Sequence, residues 1–119
     1  MPDRDSASLL PLTPALFHVL VALADGELHG YAVIKEVARR TDGRVLLGTG
    51  TLYGIIKRLL ADGLVVESKR RPAATEDDER RRYYRMTPFG KQVAVAETAR
   101  LEMMVDAARA TRSLRKADV

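Results

Sequence analysis

A chain of 119 residues suits one domain with one modest core. At 46% hydrophobic and 30% charged it is neither disordered by composition nor fibrous, and without cysteine it has no disulfide, thiolate metal site or cysteine nucleophile. A formal charge of +4 admits a polyanionic partner without naming one.

The first twelve residues are polar, then briefly apolar, and hold Pro2 and Pro11. They read as a flexible N-terminal arm (1–12) whose Leu9, Leu10 and Leu12 pack on the body or on a partner subunit. The layout of a secretion signal is missing, and no apolar run approaches the roughly 20 residues that span a bilayer. The expected location is the cytoplasm, with no membrane partner.

Thr13-Pro14 starts a helix: a hydroxyl caps free N–H groups, and Pro at the first helical position has no hydrogen bond to lose. Leu16, Phe17, Leu20, Leu23 and Ala24 follow at helical spacing until Asp25-Gly26. A second helix is predicted from about Gly30 to Arg40, with Tyr31, Ile34, Val37 and Ala38 on its inner stripe, closed by Thr41-Asp42-Gly43. A third begins near Thr49. Its inner stripe is Leu52, Ile55, Ile56, Leu59 and Leu60, and Gly63 is a natural C-terminal stop.

The texture then changes. Leu64 to Lys69 reads as a strand, short and β-branched, and Arg82 to Met86 as another, with aromatics and polar residues interleaved. Between them lies a polar loop with Pro72 and the acidic run Glu76-Asp77-Asp78-Glu79. Two strands flanking such a loop form a wing. Thr87-Pro88 repeats the helix start, and good helix formers continue to about Arg112. The predicted fold class is mainly α with a small β-hairpin: a winged helix-turn-helix over 13–86, a C-terminal dimerisation helix over 87–112 and a disordered tail over 113–119. Val93, Ala96, Leu101, Met104, Val105 and Ala108 form an apolar stripe on the last helix, too long for one small domain to cover, and are the candidate dimer contacts.

With its apolar stripe inward, the third helix turns Thr49, Gly50, Tyr53, Gly54 and Lys57 outward, a face narrow enough for a major groove about 12 Å wide. The wing concentrates charge: Lys69, Arg70, Arg71, Arg80, Arg81, Arg82 and Arg85 gather at the base of the loop, within a Debye length of about 10 Å. The acidic run offsets part of that charge and is expected at the tip. The candidate DNA-binding residues are Thr49, Gly50, Thr51, Tyr53, Lys57 and Arg58 on the helix, and Arg70, Arg71, Arg81 and Arg82 on the wing.

Four segments resemble the PadR family of transcriptional regulators: Leu28-His29-Gly30-Tyr31, Gly50-Thr51-Leu52-Tyr53-Gly54, Leu59-Leu60-Ala61-Asp62-Gly63-Leu64-Val65, and Arg82-Tyr83-Tyr84-Arg85-Met86-Thr87-Pro88-Phe89-Gly90. They stand in the family's order over about residues 12 to 92. The resemblance implies that Gly50-Thr51-Leu52-Tyr53 opens the recognition helix and that Tyr83-Tyr84-Arg85 forms the returning wing strand. It also implies a homodimer joined through the C-terminal helix, a palindromic double-stranded DNA operator, and repression released by a small-molecule effector. Three features qualify the match. Val45-Leu46-Leu47-Gly48-Thr49 is more apolar than the family's usual lead into the recognition helix. The C-terminal region holds a single helix and so resembles the family's compact form, and with no Trp there is no large aromatic platform for a flat ligand.

His29 is read as capping the second helix, as the matched segment implies, rather than as a metal ligand or general base, and His18 as packed. Met86, Met103 and Met104 read as core filler in preference to an adaptable pocket. No catalytic residue, metal or cofactor is expected, because no nucleophile–base pair, phosphate-cradling loop or metal triad is present. The rival reading is a dimeric winged-helix protein-interaction adaptor, which leaves the basic wing unexplained.

Overall fold

The computed structural model describes residues 5–69 and 82–115. Arg70, Arg71, Arg80, Arg81 and the acidic run at 76–79 lie outside the described residues. The elements run α1 (Pro14–Ala22), β1 (Leu28–His29), α2 (Gly30–Arg40), α3 (Thr49–Ala61), β2 (Val65–Glu67), β3 (Tyr83–Met86) and α4 (Pro88–Ala110), with 3₁₀ turns at Ser6–Leu9 and Arg112–Leu114.

Local chemistry sets the helix ends. Thr13 Oγ1 accepts the N–H of Leu16 at 3.2 Å and Thr87 Oγ1 that of Gly90 at 2.9 Å, each followed by Pro at the first helical position. His29 Nδ1 does the same for Ala32 at 3.2 Å, so the expected capping role holds. At the end of α3, Gly63 adopts φ +74°. The Leu64 N–H then reaches the Leu59 carbonyl and the Gly63 N–H that of Leu60, the paired bonds of a Schellman stop. Thr87 works at both ends of this joint, since its hydroxyl donates to the Gly63 carbonyl at 2.6 Å and seats α4 on the end of α3.

Among the described residues three antiparallel strands, not two, make the sheet, in the order β1-β3-β2. β1 pairs Leu28 with Tyr84 and His29 with Tyr83; β2 pairs Val65 with Met86 and Glu67 with Tyr84. Two residues are too few to carry a period, so β1 is not legible in the sequence. It ties α2 to the wing strand.

The core gathers Val19, Leu20 and Leu23 from α1, Val33 and Val37 from α2, Leu52, Ile56 and Leu59 from α3, then Leu64, Val65, Tyr84 and Val93. Two expected stripes are corrected. On α2, Val33 is buried whereas Tyr31 is 57% exposed. On α3, Leu60 is 39% exposed and Ile55 only half-buried, because Leu52, Ile56 and Leu59 centre the inner face.

Residues 5–12 are not a loose arm. Asp5 Oδ1 caps the 3₁₀ turn by accepting from Ala7 at 2.9 Å, and Leu9, Leu10 and Leu12 pack against the core beside α4. The expected tail likewise begins in ordered structure, the turn at Arg112–Leu114 just past the end of α4.

Candidate nucleic-acid interface

α3 presents Thr49, Gly50, Thr51, Gly54, Lys57 and Arg58 to solvent while Leu52, Ile56 and Leu59 are buried beneath. Gly48 stands at its N-cap and offers no side-chain acceptor. The first-turn N–H groups therefore face outward at the positive end of the helix dipole, suited to an anion.

The glycines of this face are informative. A Cβ added at Gly48, Gly50 or Gly54 would meet nothing within 4 Å. None of the three has positive φ, so neither packing nor backbone conformation requires glycine there. Glycine inside a helix costs about 0.5–1 kcal/mol relative to alanine. Gly30 and Gly90 differ: a Cβ at Gly30 would collide with the Tyr53 hydroxyl, and one at Gly90 with the Leu64 carbonyl. Those two belong to the fold.

The same contact relocates Tyr53. The sequence placed it on the outer face; in the structure it is half-buried, with its phenol laid on Gly30 at the start of α2. It sits on the flank of α3, and the missing side chain of Gly30 leaves the space its ring fills. The remaining helix candidates stay outward. Lys57 pairs with no described carboxylate, whereas Arg58 Nε reaches Asp62 at 3.0 Å on its own helix. On the wing, Arg82 is half-exposed and contacts Glu67 at 3.4 Å across the strands, and Arg85 is exposed.

Three exposed side chains nearby were not candidates. Lys35 holds its ammonium 4.8 Å from the centre of the Tyr31 ring, an exposed cation–π pair on α2. Leu46, in the apolar lead into α3, is 74% exposed. Tyr31 escaped notice because its spacing matches the inner stripe, and only burial separates the two.

α4 divides in two. Val93 and Glu97 are buried against the body, which removes Val93 from the surface offered to a partner. Past Leu101 nothing is buried, and Met103, Met104 and Val105 stand exposed. Phe17 of α1 and Leu101 and Val105 of α4 line a shallow groove of about 320 Å³.

Among the described residues, no group of three or more His, Asp or Glu side chains could hold a metal ion, and no helix is long and apolar enough to cross a membrane. The sequence profile of the transcriptional regulator PadR-like family matches residues 19–96, the span from α1 through the wing into α4. The chain belongs to the PadR-like family.

Its relatives agree with this. The transcriptional regulator Rv3488 of Mycobacterium tuberculosis is 36% identical over 85 residues, which cover 71% of this PadR-like chain and 73% of that protein. An uncharacterized 37.1 kDa protein in transposon TN4556 of Streptomyces fradiae is 42% identical over 81 residues, 66% of this chain but only 20% of its own length. The solved structure of Bacillus subtilis PadR in complex with operator DNA shares the fold, with a TM-score of 0.61 at 19% identity, over 71% of this chain and 46% of that one. The family is one of transcriptional regulators, not of enzymes.

Proposed function

We propose that this PadR-like regulator binds a palindromic operator in double-stranded DNA as a homodimer, with α3 in the major groove, and represses transcription in the cytoplasm. The observation that carries the reading is the face of α3. Gly50 and Gly54 weaken the helix, serve no contact among the described residues, and leave its surface low enough for close approach. Thr49, Thr51 and Lys57 surround them with hydroxyls and an ammonium, groups that reach base edges and phosphates. Arg82 and Arg85 extend the basic character onto the wing. Tyr53 supports the interface from behind, holding α2 against α3. The solved structure of Bacillus subtilis PadR in complex with operator DNA, which shares this fold, supports a DNA partner.

The exposed second half of α4 supports the dimer. Ala96, Leu101, Met104, Val105 and Ala108 would meet their mates across a two-fold axis, and burial of apolar surface drives such contacts at about 25 cal/mol per Å² before entropy costs. A small-molecule effector would reach that contact through the groove beside Phe17 and Leu101.

Selection of bound duplexes from a random pool tests the reading. Paired, inverted half-sites are expected, with affinity falling steeply as salt rises. If no duplex is enriched, the DNA reading fails and the protein-interaction adaptor takes its place.

A further inference from the structure

Glu97 is the one buried charged side chain among the described residues, 1% exposed on a helix whose later turns stand in solvent. Its Oε2 accepts the backbone N–H of Leu12 at 2.9 Å, from the segment that leads into α1, 85 residues away in sequence. Both carboxylate oxygens also receive the Arg100 guanidinium, one turn further along α4. The charge-assisted bonds from Arg100 and the Leu12 N–H outweigh burial and hold the carboxyl below its ordinary pKa, so the clamp is ionic.

Stability alone does not explain this arrangement. A buried ion pair is often no more stabilising than apolar residues of the same volume. What it has, and apolar contact lacks, is direction: hydrophobic packing tolerates sliding and rotation, whereas a hydrogen bond weakens steeply off its axis. Position adds a second reason. Glu97 is the last buried residue of α4. Beyond it the helix runs on to Ala110, about 20 Å at the usual rise per residue. A tilt of about 10° at Glu97 would move that end by about 3 Å, close to the rise of one base pair.

We propose that Glu97 is a positioning residue: by holding the Leu12 N–H and Arg100 together, it sets the angle at which α4 leaves the DNA-reading body. In a two-fold dimer built on α4, that angle fixes the distance between the two recognition helices, and hence the half-site spacing the protein accepts. The proposal rests on the dimeric DNA-binding reading above.

The test is duplex selection from a random pool with the full-length parent, Glu97→Met and Glu97→Gln, reading half-site sequence and spacing separately. The parent should select one centre-to-centre spacing. Glu97→Met fills the site without direction. It should keep the same half-site sequence while spreading over neighbouring spacings, so that preference against a one-base-pair insertion falls from about tenfold or more to about twofold. Glu97→Gln still accepts from Leu12 but loses the charge on Arg100; it should broaden less, and it decides the matter if the Met variant does not fold. A purely stabilising role would lower the unfolding temperature and leave the spacing sharp in both variants, and that result overturns the proposal. If the parent itself selects no paired half-sites, the dimeric DNA reading falls first and takes this proposal with it.

Discussion

α3 and α4 are both amphipathic helices with one face on the body, and their outer faces could hardly differ more. That of α3 carries Gly50, Gly54, Thr49, Thr51 and Lys57, small or hydrophilic groups that lose little by standing in water. The last turns of α4 carry Met103, Met104 and Val105, each with an apolar side chain at least 45% exposed. A hydrated polyanion suits the first surface and another apolar surface suits the second. Two exposed faces of one small protein thus point to two chemically different partners. The contrast is lost if only the count of exposed residues is compared.

The inner and outer faces of α3 should respond in opposite ways. Leu52→Ala opens a cavity where the side chain is fully buried, and chemical denaturation should show a loss of about 2–5 kcal/mol. A loss under about 1 kcal/mol would mean that Leu52 is not at the core's centre. On α4 the expected loss is one of association. The pair Met104→Asp and Val105→Asp should leave the fold intact and weaken self-association about 100-fold or more, because it sets unpaired charges inside the proposed contact. Sedimentation that finds the double variant as tightly associated as the parent would put the dimer elsewhere.

Returning to α3, Lys57→Ala should reduce DNA affinity for every sequence alike and lower the salt slope by about one unit per subunit. An unchanged slope removes Lys57 from the interface. Gly54→Ala sharpens the point further. It should stabilise the fold by about 0.5–1 kcal/mol, since a Cβ there meets nothing, and yet weaken DNA binding by crowding the groove. A variant that is more stable and binds as well as the parent would show that the glycine serves no interface.

The smallest effect concerns acid. Arg39 and then Arg40 pull the Glu36 carboxyl down to about 2 from its ordinary 4.5. A carboxylate whose pKa is depressed by folding contributes stability above its unfolded pKa and loses it as pH falls through the folded one. The window is therefore about pH 4.5 to 2. Glu36→Gln should flatten the stability curve slightly across it, and only slightly, because solvent screens this surface pair. Glu97 shifts in the same direction, chiefly through the Arg100 guanidinium, so Glu97→Gln should also lessen the loss of stability as pH falls below the ordinary carboxylate range.

Much of the fold is legible in the order of residues alone. The two Thr-Pro starts and the Gly63 stop are each decided within a few residues, so local sequence states them, whereas the His29 cap is legible only through the family resemblance of Leu28-His29-Gly30-Tyr31. The order of the helices and the two wing strands is legible from hydrophobic period and composition, but β1 is too short to be read in this way. Periodicity fails where a residue sits at the margin of a stripe. Tyr31 and Leu60 share a spacing with buried neighbours, and about 100° of rotation per residue does not say which edge the body reaches.

The sequence by itself determined where each helix begins and ends, that a helix with a polar outer face precedes a basic wing, and that the last helix is too long for the body. Those properties depend on neighbours along the chain. Only the tertiary structure decided that Tyr53 lies on Gly30, that Val93 belongs to the protomer's own core, and that Leu12 donates to Glu97. Each is a contact between segments far apart in sequence, and no local propensity encodes which groups meet. Glu97 shows this most clearly. On a helix rich in charge it reads as one more solvated carboxylate, and it is buried because the chain returns 85 residues later to where Leu12 waits.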